Sequence, residues 1–206
     1  MRVPAMRTLE NALRRVGFCH VAGVDEVGRG CLAGPVVAAA VILHPDKHIP
    51  GVCDSKLVRA EERERLFARI VKHAIAWSVA ACDPREIDEI NIHQASLTAM
   101  RRAILTLAPL PDIVLVDAFR VKGLPMAQRG VPHGDRRCSA IAAASIVAKV
   151  TRDREMLELH TRDPRYGFDR HKGYATADHL DAVARFGYSD AHRRSFRPPS
   201  LFDTIT

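Results

Sequence analysis

Cys19-His20-Val21-Ala22-Gly23-Val24-Asp25-Glu26-Val27-Gly28-Arg29-Gly30 is the stretch on which both the fold and the chemistry turn. The run from Cys19 to Val24 predicts a β-strand that delivers Asp25 to its carboxyl end. Gly28 and Gly30 permit a tight turn whose bare backbone N–H groups can approach a ligand closely. Adjacent residues on a regular strand point to opposite faces, so Asp25 and Glu26 share a site only if the strand ends or bends between them. Carboxylates gather hard divalent cations, whereas the Arg29 guanidinium and free N–H groups gather phosphate. Asp25 to Gly30 therefore offers both halves of a metal-dependent phosphodiester site. An isolated Asp-Glu pair is more often a solvated turn, so the weight falls on what surrounds it.

Outward from this stretch, Val36 to Leu43 reads as a second strand, paired with the first through the glycine turn. A short helix is expected over residues 7 to 16 and a charged amphipathic one over 60 to 73, where Leu66 and Ile70 keep helical spacing. Ala76 to Ala81 reads as a strand stopped by Asp83-Pro84, and Glu86 to Leu107 as one or two amphipathic helices closed by Pro109 and Pro111. Ile113 to Val116 is a further strand, again ending on an acid, Asp117. Residues 123 to 134 read as a hairpin or loop, and Ser139 to His160 as the best helix of the chain. A glycine-containing loop over Tyr166 to Tyr174 and a last helix over Thr176 to Phe186 follow, with a loose tail at 197 to 206. The mixture predicts an α/β or α+β domain with a mixed sheet, residues 1 to 206 forming one unit.

Thirty-one Lys and Arg against 24 Asp and Glu give a net charge of +7, which favours a polyanionic partner. Acids clustered within a basic surface would repel nucleic acid unless cations sat between them. Five widely spaced cysteines without a Cys-x-x-Cys pair suggest reduced thiols rather than a disulfide framework or a zinc site. The longest apolar run, Cys31 to Leu43, falls short of the roughly 20 residues needed to cross a bilayer. No secretory pattern is visible at the N-terminus. A cytoplasmic monomer without membrane partners is expected.

Phosphodiester hydrolysis needs an activated water, stabilisation of charge developing at phosphorus, and help for the leaving alkoxide. Two divalent ions about 4 Å apart supply all three. Asp25, Glu26 and Asp117, at the ends of strands that can lie side by side, are the strongest candidate ligands. For a fourth acid, Asp135 competes with Asp153. On the 139 to 160 helix Ser145, Lys149 and Asp153 share one face, where Lys149 and Asp153 read as an ion pair. Lys56, Ser145, Lys149 and Lys172 are candidate phosphate contacts. His171 and His192 need no catalytic role, because bound magnesium would activate the water.

The segment Gly23 to Gly30, continued by Leu32-Ala33-Gly34-Pro35-Val36-Val37, resembles the opening signature of the type 2 ribonucleases H, the ribonuclease HII family. Asp54-Ser55-Lys56, Val116-Asp117, Gly134-Asp135, Ala142 to Val150, Tyr166-Gly167-Phe168, His171-Lys172-Gly173-Tyr174 and Arg193-Arg194-Ser195-Phe196 follow in the family's order. The resemblance implies an α/β fold of the ribonuclease H-like kind: a five-stranded mixed sheet flanked by helices, with a helical C-terminal portion. It implies an endoribonuclease, dependent on Mg2+ or Mn2+, that cuts the RNA strand of RNA·DNA hybrids. Duplex DNA carrying embedded ribonucleotides is the other expected substrate, incised 5′ to the ribonucleotide to leave 3′-hydroxyl and 5′-phosphate ends. Its fourth acid falls on Asp135. Gly28, Arg29 and Gly30 are expected to contact the ribose-bearing junction, and Tyr174 to pack on the sugar. The chain departs from common family usage at Cys31, where Pro is frequent, at Leu57, where Lys is frequent, and at His133, where the motif has Lys. Rivals are another nuclease or integrase of the same fold class, or a non-catalytic nucleic-acid-binding module that would leave the four acids unexplained.

Overall fold

A computed structural model describes residues 5–196; the expected tail at 197 to 206 lies outside these. Five strands form one sheet in the order β3-β2-β1-β4-β5. They are β1 (Val21–Val27), β2 (Val36–Leu43), β3 (Ala74–Cys82), β4 (Ile113–Asp117) and β5 (Ala127–Val131). β2 pairs antiparallel with both β1 and β3, while β4 is parallel to both β1 and β5. The sheet is therefore mixed, as expected. β5 corrects the reading of residues 123 to 134 as hairpin or loop. Its pattern Ala-Gln-Arg-Gly-Val is too polar to register as a strand because it is an edge with one solvated face.

Seven helices accompany the sheet among the described residues: α1 (Thr8–Arg15), α2 (Ala60–His73), α3 (Pro84–Leu105), α4 (Gly134–Arg137), α5 (Ser139–Arg162), α6 (Phe168–His171) and α7 (Ala177–Phe186). α5 covers one face, burying Ile141, Ala144 and Val147 with Val21, Ala39 and Val41. α3 covers the other, burying Ala99, Ala103 and Ile104 with Ala22, Val24 and Ala40. β2 is buried along its whole length, which explains its unbroken apolar sequence. Gly23 lets α5 lie directly on β1, since a Cβ there would stand 2.1 Å from the Ala140 carbonyl carbon. Glu10 of α1 reaches under the sheet to accept the Ala140 N–H at 2.9 Å, satisfying an otherwise orphaned amide at the start of α5.

α3 contains two helical segments. Asn91 breaks the helical path with φ 64° and ψ 161°, and its side chain accepts the N–H groups of His93 and Gln94, capping the second segment. Beyond α5, the 3₁₀ turn Pro164–Tyr166 and α6 occupy much of what reads in sequence as a loop. A small core of Ala33, Met156, Tyr166, Phe168, Ala182 and Val183 fastens this C-terminal portion to the β1–β2 connection. That connection carries the glycine turn.

Candidate active site

β1 does not stop at Asp25. It runs on to Val27, with Asp25 and Glu26 paired opposite Ala39 and Ala38 of β2. The small alanines leave the carboxylates uncrowded on that side. β4, by contrast, ends at Asp117, and one further step of the register Val24↔Val116 sets Asp117 beside Asp25. β1 thus runs on past both acids while β4 stops at Asp117, which acts on both of them.

Electrostatics show how close the gathering is. The Asp25 carboxyl is pushed well above the usual carboxylate range by burial, then by Glu26 and also by Asp117, against hydrogen bonds from the Ser145 hydroxyl and the Glu26 amide. Glu26 is raised by burial and held back by Arg29, whose Nη1 lies 3.2 Å from Oε1. Asp117 accepts the Gly134 N–H at 2.8 Å, which brings the start of α4, and with it Asp135, to the same place. A Cβ on Gly134 would approach Ile141 to 2.5 Å and Asp117 to 3.3 Å, so only glycine allows this approach. Asp135 is raised by burial and by Asp54 and Asp117, against Lys56. The four sequence-predicted acids therefore lie together, with buried Asp54 beside them as an acid that sequence reasoning did not assign to the site.

Asp153 lies elsewhere. Its carboxylate is bound by Lys149 at 2.6 Å and Arg63 at 3.1 Å. Lys149 is committed to that pair, and the Lys172 ammonium donates to the Asp169 carbonyl at 2.7 Å. Lys56 is exposed near Asp135. Ser145 is buried behind the acids, its hydroxyl shared between Ser55 at 2.8 Å and Asp25, so it orients a carboxylate rather than facing open solvent.

Gly28 adopts φ 94°, and a Cβ there would fall 2.3 Å from Arg152 Nε, while the missing side chain of Gly30 faces open space. Two arginines hold this turn, and sequence reasoning missed both roles. Arg193, fully buried, donates to the carbonyls of Gly28, Arg29 and Gly34 at 2.6 to 3.0 Å. Burial lowers it to about 10, which leaves it cationic at neutral pH. Arg152, also fully buried, donates to Ala33, Pro35 and Lys172 carbonyls. It thereby ties the glycine turn to the Lys172–Tyr174 segment, where the Gly173 carbonyl also accepts the Leu32 N–H at 2.8 Å. Tyr174 remains 42% exposed with its hydroxyl hydrogen-bonded to Cys31. Arg152 stands seven residues after Ser145 on the inward face of α5, the one trace of its role in the sequence.

The donor set suits hard divalent cations. Several carboxylates crowd together with Arg29 as the nearby cation on Glu26, and burial and mutual repulsion raise three of them, a charge excess that a cation would relieve. Among the described residues no three His, Cys, Asp or Glu side chains close into a ready metal cage. Water or substrate oxygens would complete each coordination sphere, as magnesium favours.

A family model for ribonuclease HII matches residues 22–198. A ribonuclease HII of Aliivibrio fischeri strain MJ11 is 53% identical over 182 residues, covering 88% of each chain. One from Bacillus anthracis is 49% identical over 193 residues, 94% of this chain and 75% of that one. Among solved structures, the ribonuclease H2 of Pyrococcus horikoshii OT3 superimposes with a TM-score of 0.72 at 27% identity, covering 86% of this chain and 93% of that one. The fold is thus the ribonuclease H-like one, the protein is an endonuclease of the hydrolase class, and the chain belongs to the ribonuclease HII family.

Proposed function

We propose that the protein is a divalent-metal-dependent endonuclease that hydrolyses the RNA strand of RNA·DNA hybrids and incises duplex DNA 5′ to embedded ribonucleotides. The observation that carries this reading is one juxtaposition. Asp25, Glu26, Asp117 and Asp135 crowd beside a glycine turn that is itself tied to Tyr174.

In this reading the four acids hold Mg2+ or Mn2+, which would supply an activated water and charge stabilisation at phosphorus. Asp117, fixed by the Gly134 amide, and Asp25, fixed by Ser145 and the Glu26 amide, present their oxygens without reorganisation. Arg29, held by Glu26 and stacked 5.0 Å from the Phe119 ring, offers its remaining donors to phosphate. Water oxygen attacks phosphorus, the P–O3′ bond breaks, and the departing O3′ takes up a proton. A 3′-hydroxyl is left on one side and a 5′-phosphate on the ribonucleotide.

Selection of ribose falls to Gly28, Arg29 and Gly30, whose backbone can meet a 2′-hydroxyl, and to Tyr174, whose half-exposed ring can pack on the sugar. Lys56, exposed beside Asp135, and Lys172 set the path of the phosphate backbone, while Lys149 is held by Asp153. No described helix is long and apolar enough to cross a membrane, and a cytoplasmic monomer is the form we propose.

The test is cleavage of duplex DNA carrying one ribonucleotide, with and without Mg2+ or Mn2+. Metal-dependent incision 5′ to the ribonucleotide is expected, and none on the all-deoxy duplex. Cleavage of long hybrids alone, or cleavage in EDTA, overturns the reading.

A further inference from the structure

Three histidines that the chemistry above leaves unused lie buried behind Tyr174: His171 at 9%, His179 at 0% and His192 at 2% exposure. Their six ring nitrogens are all occupied, and the partners dictate where each proton sits. Gly173 N–H donates to His171 Nδ1 at 3.2 Å, so that nitrogen carries the lone pair, and Nε2–H donates to the Tyr166 carbonyl at 2.7 Å. His179 Nδ1 lies 2.9 Å from the Tyr174 carbonyl, which can only accept, so Nδ1 bears the proton and Nε2 is bare. His179 Nε2 faces His192 Nε2 at 3.0 Å, and His192 must therefore be the donor. Its Nδ1 is then a lone pair, as required by the Ser189 N–H at 3.0 Å and the Ser189 hydroxyl at 2.8 Å. One arrangement of three protons satisfies every contact, and in it all three rings are neutral.

This order converges on a single turn. The rings of His171 and His179 stack at 4.4 Å. Between them they fix the Gly173 N–H and the Tyr174 C=O, the polar groups on either side of the Gly173–Tyr174 peptide bond. His192 also bridges backbone to backbone with Ala33, within the glycine-turn connection, and Ala33 O stands 2.4 Å from where a Gly173 Cβ would be. Apolar side chains could seal this volume as well, but they could not aim the two peptide groups.

We propose that His171, His179 and His192 form a proton-ordered neutral relay that positions Tyr174 for reading the ribose. The three are positioning residues that act through Tyr174, and the proposal rests on the reading that Tyr174 contacts the sugar. Each ring's lone pair already faces an N–H, so protonating any of them sets two donors against each other and releases the turn. The charged groups that act on the relay are Asp169, Arg170 and Asp178 at His171 and Asp163 at His192, beside the mutual effect of the three rings. Burial outweighs the aspartates, lowering all three histidines and taking His192 to about 4.

The test reads proton positions first. Long-range 1H–15N spectra of the metal-free protein at about pH 7.5 should show His179 as the Nδ1–H tautomer and His171 and His192 as Nε2–H. An imidazolium at any of the three, or His179 as Nε2–H, overturns the proposal. Function is read with His179→Ala, which removes the donor to Tyr174, and His179→Asn, whose amide nitrogen takes the place of Nδ1–H. The alanine variant should lose about tenfold or more in single-turnover cleavage of the single-ribonucleotide duplex, with the asparagine variant recovering most of it. Affinity for plain duplex DNA should stay within about twofold in both. If both variants fall together, in step with their melting temperatures and with plain-duplex affinity, the relay is only core packing. A native protein that leaves the single-ribonucleotide duplex intact overturns the proposed function itself. The tautomer pattern, read without substrate, separates that failure from a relay that does not form.

Discussion

Asp25→Asn removes one charge from the acid cluster at nearly constant volume, and it should stabilise the metal-free protein while nearly abolishing cleavage. Asp25 is 8% exposed, and burial, then Glu26 and Asp117, hold its carboxyl well above the usual range. A carboxyl whose folded pKa lies above its unfolded value stabilises the fold fully below the unfolded pKa, near 3.9. That contribution is lost as pH rises through the folded pKa. Without metal, ionising Asp25 is therefore disfavoured by the fold. Carboxylates on adjacent strands lie about 5 Å apart, and at an effective dielectric of about 20 such a pair repels by roughly 3 kcal/mol. An asparagine oxygen keeps the bond from the Glu26 amide in weaker, uncharged form, so the net gain is about 1 to 2 kcal/mol. For a chain of this size that is a rise of about 3 to 6 °C in melting temperature.

The assay is a pair of melts per protein, in EDTA and in saturating Mg2+, repeated from neutral pH toward 4. In EDTA the variant should melt above the native protein, with the gap narrowing as pH falls. In Mg2+ the native protein should gain stability and the variant should gain little. A variant that melts below the native protein in EDTA, or that keeps the full stabilisation by Mg2+, refutes the argument that crowded charge at Asp25 awaits a cation.

Asp135→Asn should lower single-turnover cleavage about 100-fold or more. Asp153→Asn, which frees Lys149 and Arg63 from a partly buried pair, should instead cost about 1 kcal/mol of stability, and the reverse ranking of rates exchanges the two roles. Arg193→Lys keeps the charge but cannot bridge Gly28, Arg29 and Gly34 at once. It should destabilise the protein by about 3 kcal/mol, and a melting temperature within about 2 °C of native contradicts the clasp. Tyr174→Ala should reduce cleavage of a single embedded ribonucleotide far more than affinity for plain duplex DNA, since phosphate contacts remain. Native-rate cleavage by that variant leaves sugar sensing to the glycine turn alone.

Much of the fold is legible in the sequence because its central elements are strongly patterned. Val36 to Leu43 is apolar throughout and becomes the fully buried β2, while the helix over residues 60 to 73 is bounded by composition alone. β5 is not legible, since an edge strand with alternating exposure carries little apolar signal. Asp25, Glu26 and Asp117 stand out by their position at or near strand ends. β1 does not end between Asp25 and Glu26, since its pairing with β2 continues to Val27; β4 is the strand that stops, at Asp117.

The residues that hold the site in shape are hidden for a different reason. Arg152 and Arg193 read as two more positive charges in a basic chain, yet they are fully buried and end on six backbone carbonyls between them. Backbone carbonyls have no signature in sequence, so a side chain that serves them looks unpartnered until the chain is folded. The same holds for His171, His179 and His192, whose partners are peptide groups, a serine and one another. The acids can be found by what they are, because the metal and phosphate chemistry proposed for them restricts residue type. Their supports are defined by where peptide groups end up, which depends on the packing of α5, α6 and α7 against the β1–β2 connection. A substitution among the supports should therefore alter ribose discrimination and stability together, whereas a substitution among the acids separates activity from stability.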